Sequence, residues 1–188
     1  MNTFGKHLMK LNLGCGDKPL IGYTNVDLTS SRKGINNQNG DNLDVVKCDI
    51  KNLNIFKDDS VDEILSVHVI EHFYYYEVHE ILREWKRVLK PGAKLAIETP
   101  NLLTACKLIV EDPINNTIAR FPEGKRAMWS LYGNPNEKDP LMCHKWLYTP
   151  ISLANLLNEC GFVGIKKAKC QFKMKEPRDM RIVFRKLE

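Results

Sequence analysis

KLNLGCGDKP, residues 10–19, decides how this chain is read. A short apolar run breaks into two glycines, Gly14 and Gly16, with Cys15 between them. A phosphate cradle, half of a metal site, a redox centre and a backbone approached closely by a ligand all begin this way. A dinucleotide loop needs G-x-G-x-x-G opening a helix and an acid about 20 residues on. Pro19 stands where its third glycine belongs, and the acid comes early, at Asp27. A phosphate loop of the Walker type needs G-K-[ST], which is absent here. The first two strand candidates also lie too close together for a full crossover helix, which takes a connection of about a dozen residues or more.

Outward from that stretch, apolar strand candidates fall at 10–13, 23–27, 44–48, 62–67 and 94–99, each bounded by Gly, Pro, Asp or Asn. Between the last two, Val78, Ile81, Leu82, Trp85, Val88 and Leu89 share one face of a helix over about 77–89. Lys90-Pro91-Gly92 stops it, since proline cannot continue the hydrogen-bond ladder. A second helix takes Thr149 as its cap and Pro150 as its first residue, and ends at Gly161. Strands at 162–170 and 179–188, around a polar turn at 175–178, are placed to pair antiparallel. This is an α/β chain with a mostly parallel sheet, a closing hairpin, helices on both faces and a shortened first helix. Residues 101–148 break the rhythm and read as an insertion over the substrate site within a single domain, 1–188.

Hydrophobic residues make up 43% of the 188, enough for a real core. No apolar run approaches the roughly 18 residues of a membrane span. MNTFGKHLMK has no apolar core of a signal peptide. The six cysteines form no CxxC pair and read as reduced thiols, so a cytoplasmic location is expected. The net charge of +5 is concentrated toward a basic tail, Lys166 to Lys186. Its lysines alternate with apolar residues, which favours a solvated face over a nucleic-acid patch. The polar stretch 29–42 reads as a surface loop.

LNLGCG (11–16), TNVDL (24–28), KCDI (47–50), VDEILSVHVIEHF (61–73) and LREWKRVLKPGAKLAIETPN (82–101) resemble, in order, the motifs of class I S-adenosylmethionine-dependent methyltransferases. HKWLYTPISLANLLNECGF (144–162) is similar in style to small methyltransferases among bacterial glycan-biosynthesis and phage proteins. The resemblance implies a Rossmann-like fold and S-adenosylmethionine as cofactor. It implies a cofactor-binding set of Leu13, Gly14, Cys15, Gly16, Lys18, Asp27, Leu28, Asp49, Ile50 and His68. The glycines would admit the aminoacid part of the cofactor close to backbone. Asp27 would accept from the ribose hydroxyls, Asp49 and the Ile50 backbone would recognise adenine, and His68 would stand by the methionine part. Taken singly, each aspartate also suits a turn or cap. The chain departs from the family at Asn12, often acidic, and at Lys18, usually glycine. Lys18 is expected to pair with the cofactor's carboxylate and compensate for the helix shortened by Pro19.

An oxygen or nitrogen acceptor needs a base for its proton. His72, His144 and Glu71 are the catalytic candidates, with His68 beside them. Trp146 and Tyr148 would wall a pocket for a sugar or ring, and His144 equally suits a structural bond between insertion and sheet. His68 to His72 spell H-x-x-E-H, a zinc-peptidase pattern. His68 follows a strand directly rather than lying in a helix, so no metal site is expected. SVHV (66–69) replaces the Asn/Asp-Pro-Pro-aromatic motif of enzymes that methylate DNA amino groups. That argues against DNA amino groups and not against all nucleic acids, but the insertion is short, so the expected acceptor is a small molecule or saccharide. A nucleic-acid acceptor, or a cofactor-binding module without catalysis, is the alternative.

Overall fold

A computed structural model describes residues 8–29, 43–117, 127–172 and 178–187. Seven strands form one sheet in the order β3-β2-β1-β4-β5-β7-β6. They are β1 (Lys10–Leu13), β2 (Thr24–Asp27), β3 (Val45–Lys47), β4 (Val61–Val67), β5 (Leu89–Pro100), β6 (Phe162–Ala168) and β7 (Asp179–Lys186). The first five run parallel, and β7 pairs antiparallel with both β5 and β6. The expected strands and closing hairpin are thus in place, with β5 reaching back to Leu89 past an irregularity in its pairing with β4. Residues 175–177 of the polar turn at 175–178, and nearly all of the 29–42 loop, lie outside the described residues.

The two faces of the sheet differ in chemistry because side chains alternate along each strand. Leu11, Leu13, Val26, Ile64, Leu95, Ile97, Ile182 and Phe184 share one face and one core cluster. Helix α1 (Tyr75–Val88) lays Val78, Ile81, Leu82, Trp85 and Val88 into that cluster. Helix α5 (Pro150–Glu159) adds Leu153, Leu156 and Leu157. Both helices end where the sequence indicates. Leu89 is extended before Pro91, and the Thr149 hydroxyl accepts from Ser152 N at 3.1 Å. The Trp85 indole donates to Ile50 O at 2.9 Å, joining α1 to the segment after β3.

The opposite face presents Asn12, Asn25, Glu63, Lys94, Glu98 and Arg181 in register. Here the expected shortening of the first helix goes to completion, and residues 14–23 cross from β1 to β2 as a loop with no helical residue. Asn25 Oδ1 accepts from Asn12 Nδ2 at 2.9 Å and from Leu20 N at 2.7 Å. Its amide donates to Leu20 O at 3.2 Å. Two buried asparagines on adjacent strands thus satisfy the loop backbone, as a helix would otherwise do for itself.

Residues 101–148 leave the sheet and return to it at one place. Asn101 bridges Tyr148, and Leu102 N donates to Tyr148 O at 3.0 Å. The described part contains α2 (Leu102–Glu111), α3 (Pro113–Thr117) and α4 (Ala127–Tyr132). Among the described residues, no helix is long and apolar enough to cross a membrane.

Candidate functional site

Parallel strands place their carboxyl ends on one edge, and the strand order reverses direction between β1 and β4. Such a point is where open α/β sheets leave a crevice. A cleft of about 590 Å³ opens there. Gly14, Cys15, Gly16, Lys18, Asp27, Leu28, Asp49, Ile50 and His68 all line it, with His72 beside them. Leu13 differs from expectation. It shares the apolar face with Leu11 and its side chain is fully buried in the core. Glu71 and His144 are not on the cleft wall either but stand behind His72.

Asp27 shapes the wall. Its Oδ2 accepts from Gly16 N at 2.9 Å, and its Oδ1 accepts from Thr29 N at 3.2 Å. Asp49 Oδ1 accepts from Lys51 N at 2.9 Å. The turn role and the wall position therefore coincide in both aspartates. Gly14 and Gly16 both have positive φ, +69° and +55°. A Cβ on Gly16 would meet nothing within 4 Å, whereas one on Gly14 would lie 2.6 Å from Val69 Cγ2. Gly14 is thus required by the packing of Val69 as well as by its conformation. Gly14→Ala is expected to destabilise the fold by about 1–3 kcal/mol. In chemical denaturation Val69→Ala should recover only part of this, because the backbone strain persists.

His68 has a positive φ of 54°, rare for a residue with a side chain. Its ring lies between two carboxylates, Nδ1 3.2 Å from Glu71 Oε1 and Nε2 3.6 Å from Asp179 Oδ2. Burial pushes the Glu71 carboxyl up, but the His68 hydrogen bond and charge, with His72 and His144, outweigh it and hold it below the usual range. Burial raises Asp179 in the same way, and His68 with Arg178 brings it down. The His68 ring is thus taken up by carboxylates on both sides. His72 instead meets His144 edge to face, with ring centroids 4.9 Å apart. The His144 ring bonds within the excursion rather than from insertion to sheet, since its Nδ1 donates to Ser130 O at 2.8 Å. Burial holds its ring toward the neutral form.

The aromatic residues are arranged differently from the sequence reading. Tyr148 is 1% exposed, in the core, with its hydroxyl pKa raised by burial. Trp146 pairs instead with Tyr75 at 5.0 Å, and both are exposed. Tyr74 and Tyr76 stack at 5.4 Å, and Lys145 Nζ lies over Tyr74 at 5.0 Å. These rings make a ledge next to the cleft residues Phe73, Glu77 and Lys145. Asp139, Lys145, Phe172 and the His68 partner Asp179 escaped the sequence reading. Only Lys145 had a local signal, its place beside His144.

Residues 11–97 match the methyltransferase-domain family. Among solved structures, a SAM-dependent methyltransferase from Archaeoglobus fulgidus is similar at TM-score 0.60 and 18% identity, over 95% of this chain and 86% of that one. One from Methanosarcina mazei is similar at TM-score 0.56 and 19% identity, over 95% and 92%. The 1,6-didemethyltoxoflavin-N1-methyltransferase of Burkholderia thailandensis, with its acceptor and S-adenosylhomocysteine bound, is similar at TM-score 0.60 and 14% identity, over 96% and 71%. No curated protein sequence matches the chain significantly. The fold is that of S-adenosylmethionine-dependent methyltransferases.

Proposed function

We propose that this chain, a methyltransferase domain on a methyltransferase fold, uses S-adenosylmethionine to methylate a small-molecule or saccharide acceptor. The observation that carries the cofactor reading is the convergence of Gly14, Gly16, Asp27, Asp49 and His68 on one cleft. The donor set fits the cofactor. A carboxylate offers about four acceptor sites, so Asp27 keeps capacity beyond the two amides and the Thr29 hydroxyl it already holds. Asp49, with Ile50 beside it, suits an amine on a flat ring. Lys18 brings an ammonium to the β1 end of the cleft, where a carboxylate would lie. The volume falls in the range of about 300–1,000 Å³ typical of ligand sites. When bound, S-adenosylmethionine supplies an electrophilic methyl group on a sulfonium; the protein's part is alignment and exclusion of water.

The ledge of Tyr74, Tyr75, Tyr76 and Trp146 supports a ring or sugar acceptor, because exposed aromatic faces stack on such molecules. The 101–148 excursion, which sends Asp139, Leu141, Met142 and Lys145 into the cleft wall, acts as the acceptor-side cover. His72 is the catalytic candidate that reaches the acceptor, with Glu71 and His144 holding it from behind. The basic tail does not favour nucleic acid. Arg181 is buried against Glu98, Arg185 donates to Gly92 O at 2.9 Å and Lys186 to Leu89 O at 2.7 Å.

Thermal shift with S-adenosylmethionine, S-adenosylhomocysteine and NAD tests the reading. Both sulfur cofactors should stabilise the wild type, by about 2.7 kcal/mol at a hundredfold excess over Kd, and NAD should not. Asp27→Ala, which removes a hydrogen-bond acceptor from the cleft wall, should weaken cofactor binding by about 100-fold. Stabilisation by NAD alone would refute the proposal.

A further inference from the structure

We infer that Glu71, His72 and His144 form a site for one divalent transition-metal cation at the acceptor side of the cleft. This departs from the expectation that the chain holds no metal. One ligand atom from each of the three residues lies within 4.8 Å of the others. Hydrogen bonds hold each of the three side chains in place. A backbone carbonyl only accepts, so His144 Nδ1 carries its proton toward Ser130 O at 2.8 Å. His72 Nδ1 does the same toward Cys143 O at 3.2 Å. With Nδ1 so engaged, Nε2 is the atom that each ring can offer to a cation. Glu71 Oε2 accepts from Thr99 Oγ1 at 2.9 Å, which turns Oε1 toward the imidazoles, 4.0 Å from His144 Nε2.

Two imidazole nitrogens and a carboxylate oxygen gathered within 4.8 Å make a ligand set of the kind that holds a transition-metal cation. Histidines that bind metals through one nitrogen and donate from the other to a carbonyl have this arrangement. Bonds of about 2.0–2.2 Å in a tetrahedral site put ligand atoms about 3.3 Å apart, so the three side chains need to close by little more than about 1 Å. Two imidazoles and one carboxylate favour zinc, cobalt or iron(II) over magnesium or calcium, which prefer oxygen ligands.

The three ligands leave coordination open on the side of His72, which faces the cleft. Resting on the methyltransferase reading, that position would take an acceptor hydroxyl, whose pKa a bound cation lowers. The H-x-x-E-H stretch thus contributes its last two residues to the site, while His68 is engaged by Glu71 and Asp179. His144, from the excursion, takes its place.

The test titrates the full chain, free of any histidine tag, with Co²⁺ and reads visible absorption, while calorimetry follows S-adenosylmethionine binding on the same sample. One cobalt per chain with the bands of a four-coordinate ion is expected, displaced by Zn²⁺. His72→Ala and His144→Ala should each weaken cobalt binding by about tenfold or more. His144 is buried, so His72→Ala decides the matter should His144→Ala lose its fold. A wild type that binds S-adenosylmethionine but gives no cobalt spectrum, or one that binds cobalt equally well with His72→Ala, overturns the site and leaves the methyltransferase reading standing. A cobalt spectrum lost in His72→Ala, in a protein that ignores S-adenosylmethionine, supports the site and overturns that reading.

Discussion

Glu71→Ala is expected to lower the unfolding free energy by about 3–5 kcal/mol, the cost of breaking a buried ionic contact from one side. Glu71 is 0% exposed. Its carboxylate accepts from Thr99 and faces the His68 and His144 rings, and alanine removes every one of those contacts at once. Glu71→Gln keeps the Thr99 partner and should lose less. The pH dependence has a definite sign. The carboxyls of Glu71 and Asp179 are held below their ordinary values by His68 and its neighbours, against the opposing effect of burial. A group lowered in the folded state contributes stability that is fully present above its unfolded pKa, about 4. That contribution is lost as the pH falls through the lower, folded value. Denaturation curves from neutral to acid pH should therefore show wild-type stability falling below about pH 4. Glu71→Gln should fall less steeply there. A loss under about 1 kcal/mol for Glu71→Ala at neutral pH would show that the cluster contributes no net stability.

Glu98→Ala should cost a similar amount, about 3–5 kcal/mol, by a different route. Glu98 on β5 lies opposite Arg181 on β7 and accepts from its Nη1 at 2.5 Å, both residues being almost fully buried. The same carboxylate accepts from Gln171 N at 2.7 Å and Phe172 N at 3.2 Å. It therefore ties the closing hairpin to the parallel part of the sheet and holds Phe172 at the cleft. Arg181→Met alone should be comparably harmful, leaving a buried carboxylate without its guanidinium. The double substitution Glu98→Met with Arg181→Met should be milder than the sum of the two singles, because no uncompensated charge remains. A double-mutant cycle by equilibrium denaturation measures that coupling. Strict additivity would mean that the backbone amides, not the arginine, hold Glu98.

How far the site was legible follows from which contacts are local. Asp27 ends β2, Gly14, Gly16, Asp49 and His68 follow strand ends within three residues, and parallel strands finish on one edge. Finding the strands was therefore enough to bring these residues together. Leu13 was misplaced because the motif runs through it while the two-residue alternation of β1 sends its side chain into the core. The pairs Glu71 with His144, His68 with Asp179 and Glu98 with Arg181 join residues far apart in the chain. They depend on where the 101–148 excursion returns and on the antiparallel register of β7. Trp146 and Tyr148 illustrate the same point. They lie two residues apart, yet Tyr148 is drawn into the core beside the Asn101 bridge and Trp146 is left on the surface.

The sequence by itself determined the order of the strands along the chain, both long helices with their stops, and the strand-end residues that line the cleft. Those depend on hydrophobic period, capping chemistry and the breaking effect of Pro and Gly, all of which act within a few residues. Only the tertiary structure decided that the β1–β2 connection carries no helix, because the Asn12–Asn25 pair that replaces it lies across two strands. Only it brought His144 together with Glu71 behind His72, and only it gave KLNLGCGDKP its second constraint, Val69 of the β4 end against Gly14. Contacts of this kind are set by how the strands pack side by side, and no single stretch of chain encodes that.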